Sequence, residues 1–146
     1  MTCRKRAASA IIFDNEGRVL LAKRAPTKQP FPNTWSLPST YIEQDQEFSY
    51  SLMDAVRRKL TIDIIIEKFL DFKVDMQEDY MLHMNDYIAR ITKGIPTPNG
   101  NDYTEVKYVN PGPYFAGHDR NKMGFCLQVL LRNLDKDPDL WKNYKK

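Results

Sequence analysis

Apolar residues follow two rhythms along this 146-residue chain. Residues 7–13 and 18–24 are short runs with apolar centres, separated by the turn cluster Asp14-Asn15-Glu16-Gly17. Short apolar runs bounded by turn residues predict strands, and this pair predicts a β-hairpin. Residues 25–34 carry three prolines and predict a loop. Order resumes at Trp35-Ser36-Leu37-Pro38, and residues 41–43 predict a short strand. The rhythm then changes. Phe48, Leu52, Val56 and Leu60 recur every four residues, which lays one apolar stripe along a helix. Asp45 is the expected N-cap, and Glu47 falls in the first turn, where the helix dipole favours an acid.

Residues 63–76 and 80–92 are rich in Ile, Phe and Val, and predict two long strands joined at Gln77-Glu78-Asp79. A Pro/Gly/Asn loop covers 95–102, and a last strand is expected over 104–109. A second helix is predicted over 123–134, apolar at Met123, Leu127, Leu130, Leu131 and Leu134. Asp137-Pro138 reads as an N-cap followed by proline at the first helical position, opening a short terminal helix. The order is hairpin, loop, helix, strands, helix, with no linker dividing it, and it predicts one α/β domain over 1–146.

Composition narrows the class. Hydrophobic residues make up 42% and charged residues 28%, which excludes a disordered chain. A net charge of +3 is too small to diagnose a nucleic-acid binder, although it leaves nucleic acid open as a partner. Two cysteines and two histidines, none in a CxxC pair, do not suggest a zinc site. Two reduced thiols fit a cytoplasmic protein. The apolar run at 7–13 ends at Asp14, too soon for a membrane span, and no membrane partner is expected.

From Trp35 to Ile62 the chain resembles the Nudix (MutT-like) hydrolases. The family motif is Gly, five residues, Glu, seven residues, Arg-Glu, an apolar residue, any residue, Glu-Glu, any residue, Gly, an apolar residue. A Trp-x-Leu-Pro-Gly-Gly stretch commonly leads into it. Here Trp35-Ser36-Leu37-Pro38 stands in place, followed by Ser39-Thr40. Laid on without a gap, the first Gly falls on Thr40, the first Glu on Gln46 and Arg-Glu on Asp54-Ala55. Glu-Glu falls on Arg58-Lys59 and the last Gly on Thr61, while Val56 and Ile62 keep the apolar positions. The resemblance implies a Nudix-like α/β/α sandwich, with a mixed sheet between two main helices, and, in the family, magnesium- or manganese-dependent cleavage of a nucleoside diphosphate linked to another moiety.

Magnesium requires a shell of oxygen donors. The family helix supplies carboxylates at the positions of Ala55, Arg58 and Lys59, which are three and four apart and predict one shared face. The five charged positions of the motif carry −3 in the family. Here they carry one acid and two bases, a net +1. A unit positive charge roughly 5 Å from a divalent ion costs on the order of 6 kcal/mol at an effective dielectric of about 20. The expectation is therefore weak or absent metal-dependent hydrolysis. No cofactor is expected, and Mg2+ or Mn2+ would enter only through an atypical site built from relocated carboxylates at Glu43, Glu47 and Glu105.

Seven residues are candidate ligand contacts: Arg24, Trp35, Glu43, Glu47, Arg58, Lys59 and Glu105. Arg58 and Lys59 would hold phosphate directly, or they are a wet basic stretch at a helix C-terminus. Arg24 matches a substrate-facing arginine of the family, or is a strand-end charge. Trp35 would stack on a base, or close one end of the core. Lys23 and Lys28 read as solubilising charges. Open partners are a nucleotide or other phosphorylated small molecule, RNA, a protein, and a second copy in a homodimer. Lys28, Pro32 and Trp35 also resemble the prenyl-diphosphate isomerases of this fold, but Ser39 and Thr40 stand where those enzymes use cysteine.

Overall fold

The structure is a computed structural model that describes residues 3–29, 31–76 and 78–144. Pro30 of the predicted loop and Gln77 of the predicted turn lie outside the described residues. Seven strands and three helices make up the frame: β1 (Cys3–Ile12), β2 (Val19–Arg24), β3 (Trp35–Ser36), β4 (Ser39–Ile42), α1 (Phe48–Leu60), β5 (Asp63–Met76), β6 (Tyr80–Lys93), β7 (Tyr103–Val109), α2 (Pro111–Phe115) and α3 (Phe125–Lys136). Among the described residues, no helix is long and apolar enough to cross a membrane.

The strands form two sheets, in the orders β4-β1-β6-β5 and β3-β2-β7. β1 runs parallel to β6, so the larger sheet is mixed, while the smaller is antiparallel. Side chains alternate across a strand, and β1 shows the consequence. Ala7 and Ile11 face the cluster that holds Leu127, Leu130 and Leu131 of α3. Ala8, Ala10 and Ile12 face the cluster that holds Leu52, Val56 and Leu60 of α1. The strands therefore lie between α1 and α3, the α/β/α layering expected. Leu52, Val56 and Leu60 are at most 2% exposed. Each contributes about 1.5–3 kcal/mol by leaving water.

Two local expectations are corrected, and the Asp137 cap is found at the start of a 3-10 turn. β1 and β2 do not pair as a hairpin. The turn forms, with the Asp14 amide donating to the Arg18 carbonyl at 2.8 Å and one bridge from Phe13 to Val19. Beyond it the strands part into different sheets, because each finds its long ladder elsewhere, β1 with β6 and β2 with β7. Gly17 serves this turn with φ of +80°, and a side chain there would drive into the Trp141 ring. The N-cap of α1 is Glu47, not Asp45. Its carboxylate accepts from the Ser49 amide at 2.9 Å and the Tyr50 amide at 2.8 Å. Asp137 both closes α3 and caps the turn that follows: its carboxylate accepts from the Asp139 amide at 3.3 Å and its carbonyl from the Leu140 amide at 3.1 Å, and the terminal helix is a 3-10 segment, Leu140–Tyr144.

Candidate functional site

A cleft of about 820 Å³ opens beside the C-terminal end of α1. Its lining includes Arg24 and Lys28 from the end of β2 and the loop after it, residues of β4 and Lys59 of α1. His118 and Lys122 from the segment between α2 and α3 line it too, as does Lys73 of β5. Five lining residues are Lys or Arg and two, Asp75 and Asp102, are acids. Asp102 is already engaged: Lys28 Nζ lies 2.8 Å away and Asn99 Nδ2 donates at 2.8 Å. Asp75 accepts from the Met76 amide.

Lys59 enters this cleft because its neighbours on α1 are committed to the core. Ala55, one turn earlier, is 1% exposed, and Leu60 is fully buried. The side chain turns toward β4, where Nζ donates to the Ser39 carbonyl at 2.9 Å, and it lies 5.9 Å from the Tyr103 ring centroid. Burial lowers the Lys59 pKa to about 8, with Lys28, Arg58 and Arg24 adding repulsion and Asp102 opposing it.

The structure separates Arg58 from Lys59. Arg58 does not line the cleft. Its Nε donates to Asp54 Oδ2 at 3.0 Å, one turn back on the same helix, with both side chains more than half exposed. Such a pair contributes about 0.3–0.5 kcal/mol. Neighbouring helix positions point about 100° apart, so Ala55, Arg58 and Lys59 do not share a destination although they share a side.

Arg24 follows a β-bulge at the end of β2. Its backbone N–H donates to Thr34, its carbonyl accepts from Asn33, and its Nη2 donates to Gln29 at 3.2 Å, so the loop is wrapped around it. Its Nε is buried and has no hydrogen-bond partner among the described residues. Trp35 also lines the cleft. The Lys107 ammonium sits against it, 4.1 Å from the Trp35 ring and 4.5 Å from the Tyr114 ring, and donates to the Tyr114 hydroxyl at 2.8 Å. One face of Trp35 is thus taken from within the protein.

The three acids of the relocated-carboxylate alternative are not brought together. Glu47 is consumed as the α1 cap, Glu105 pairs with Lys23 at 3.3 Å, and Glu43 is exposed beyond β4. None of them lines the cleft. Among the described residues, no three His, Cys, Asp or Glu side chains cluster in a way that would hold a metal ion. At the first Glu position of the motif, Gln46 accepts from the Ser51 hydroxyl at 2.9 Å. At the last Gly position, Thr61 adopts φ of +61°. That left-handed conformation is what the motif's glycine serves. Lys28, Tyr103, Tyr114 and Lys107 were not flagged by sequence pattern as site residues. Lys28 lies in a loop, Tyr103 and Lys107 on β7 and Tyr114 on α2, and their meeting beside the cleft depends on contacts distant in sequence.

A family model described as NUDIX domain matches residues 4–112. The chain belongs to the Nudix family. No curated protein matches this Nudix chain. Among solved structures it is similar to a MutT protein from Methanosarcina mazei Go1, with TM-score 0.76, 12% identity, and coverage of 94% of this chain and 97% of that one. A NUDIX hydrolase from Nitrosomonas europaea gives TM-score 0.73 at 9% identity, covering 91% and 90%. The ORF135 protein of E. coli gives 0.69 at 16% identity, covering 94% and 96%. Identities this low establish the Nudix fold alone.

Proposed function

We propose that this Nudix-fold chain binds a nucleotide or another phosphorylated small molecule in the basic cleft, and does so without the metal-dependent hydrolysis of its family. The observation that carries the reading is the place of Lys59. Its ammonium group lies inside the cleft, at a motif position that holds a carboxylate in the family. The residues at the motif do not fit a magnesium ion. Ala55 offers a buried methyl, Arg58 an outward guanidinium and Lys59 an ammonium, and none supplies an oxygen.

What they fit is an anion. Lys59, Arg24 and Lys28 all line the cleft. Phosphate oxygens form strong charge-assisted hydrogen bonds to such groups. Titration calorimetry with nucleoside mono- and diphosphates, in magnesium and then in EDTA, tests the reading. Equal affinity in both buffers is expected. Turnover of ADP-ribose, a dinucleoside polyphosphate or a nucleoside triphosphate at an ordinary enzymatic rate, roughly 1–1,000 per second, would overturn it.

A further inference from the structure

The strand register shows what lies at one end of the cleft. Tyr41, Ala7, Met84 and Lys73 stand in one row across β4, β1, β6 and β5. Partners in a row point to one side of the sheet, and this row points toward α3, since Ala7 and Met84 pack with its leucines. Ala7 and Met84 are buried, but Tyr41 at the β4 edge is 49% exposed. Toward the start of β1 the same face opens to solvent. Lys5 is exposed there, with Leu82 and Tyr80 half-buried beside it. The Lys5 ammonium lies 4.2 Å from the Tyr80 ring centroid and 5.6 Å from that of Tyr41. Lys73 rests on the Phe125 ring at 5.2 Å. Neither lysine forms an ion pair among the described residues. An exposed lysine leaves a ring at small cost, which frees the ring face and the cation together. Asp75 shares this face and accepts from the Met76 amide.

We propose that this open face binds single-stranded nucleic acid, with bases stacked on Tyr41 and Tyr80 and phosphates met by Lys5 and Lys73. The inference extends the phosphorylated-ligand reading of the same cleft from a small molecule to a chain. The net charge is only +3, but five of the seven charged residues that line the cleft are Lys or Arg. Three strand spacings set roughly 14 Å between the β4 and β5 edges. Cations and rings spread over that width suit successive nucleotides better than one phosphate group. Sheet faces that carry aromatic rings take unpaired bases in this way, because every base has a flat face. Phe31 adds another ring at the cleft. It is 46% exposed and adopts the left-handed conformation, with φ of +62°. A bulky residue keeps that conformation only where its surroundings impose it, and the Thr34 hydroxyl clamps its carbonyl at 2.6 Å. An apolar ring held in water by a clamped backbone serves a ligand rather than the core.

The test uses the full chain and fluorescence anisotropy with labelled oligouridylate and oligothymidylate of about 12 nucleotides. Each oligomer is expected to bind about tenfold or more tighter than uridine monophosphate, and a duplex of the same length about tenfold more weakly than the single strand. Raising salt from about 50 to about 200 mM should weaken the oligomer roughly sevenfold, for two phosphates neutralised. Lys5→Gln and Lys73→Gln should each flatten that salt slope by about 0.7. Tyr41→Ala and Tyr80→Ala should each weaken binding about tenfold, while Tyr41→Phe and Tyr80→Phe keep the ring and should bind as the native chain does. An oligomer no tighter than uridine monophosphate, equal binding of the duplex, full affinity in both Ala variants, or equal losses in the Ala and Phe variants overturns the inference. Tighter oligouridylate assigns RNA, tighter oligothymidylate DNA, and equal binding the single-strand chemistry they share. Mononucleotides that bind by calorimetry while oligomers bind no tighter sink this inference and leave the small-ligand reading intact. Oligomers that bind through Tyr41 and Tyr80 while mononucleotides fail do the reverse.

Discussion

Lys59 and Asp86 are both drawn out of water, but to different degrees: Lys59 is half-buried and Asp86 fully buried. Lys59 lies at the cleft wall below α1, and Asp86 lies under α3 on β6. Lys59 has an acceptor and an opening to solvent. Asp86 is 0% exposed, and neither carboxylate oxygen has a hydrogen-bond partner among the described residues. Burial, reinforced by Asp71, pushes its carboxyl well above the usual range, with Arg132 opposing weakly. Burial, with Asp86 beside it, also pushes the Cys126 thiol up. Asp71, one strand away, shows what partners change. Burial pulls its carboxyl up too, yet hydrogen bonds from Asn133 and Arg132 outweigh that and hold it low. Desolvation alone does not make a site. It makes one where a ligand can reach the group, and a stability liability where none can.

Reversing the charge at the cleft should give the largest effect. Lys59→Glu is expected to weaken a phosphorylated ligand more than about 100-fold, near 2.7 kcal/mol, by calorimetry. A loss below about tenfold would break the contrast drawn with Asp86.

Asp86 is tested through pH. Its folded pKa is raised, so its share of stability is complete below the unfolded pKa, about 3.9, and is lost as pH rises toward the folded value. Asp86→Asn should therefore raise Tm at neutral pH, by about 3 °C, with the gain shrinking as pH falls toward 4. Thermal melts across that range decide it, and a gain that grows toward acid would contradict the sign.

Thr61→Gly should stabilise the fold by about 1 kcal/mol in a urea titration. It relieves a β-branched residue from the left-handed region, a strain partly offset by glycine's chain entropy. Arg58→Glu should change ligand affinity about twofold or less, since Arg58 is exposed and turned to Asp54. An Arg58 effect as large as that of Lys59 would erase the distinction between the two.

The layering was legible because it follows from periodicity. The four-residue stripe of α1 and the apolar strands specify which faces meet, and they meet as expected. Strand partners were not legible. A turn between two apolar runs predicts a hairpin, yet β1 takes its long parallel ladder with β6, far along the chain. The motif positions showed that the charge had reversed, but not which cation turns inward. That choice depends on the Ser39 carbonyl and on Tyr103, both distant in sequence from Lys59. Lys28 read as a solubilising charge because its role depends on Asp102, at the far end of another loop. Asp86 stands in the alternating stretch of β6 with nothing nearby to mark it as buried.

The Lys59 ammonium group stands at a motif position that carries a carboxylate in the family. Manganese titrated into 15N-labelled protein reports this directly, because the ion broadens amide signals close to it. No selective broadening is predicted for the amides of Ala55, Arg58, Lys59 and Ser39 at manganese concentrations up to about 1 mM, a binding energy near 4 kcal/mol. Saturable loss of those signals at micromolar manganese would contradict it.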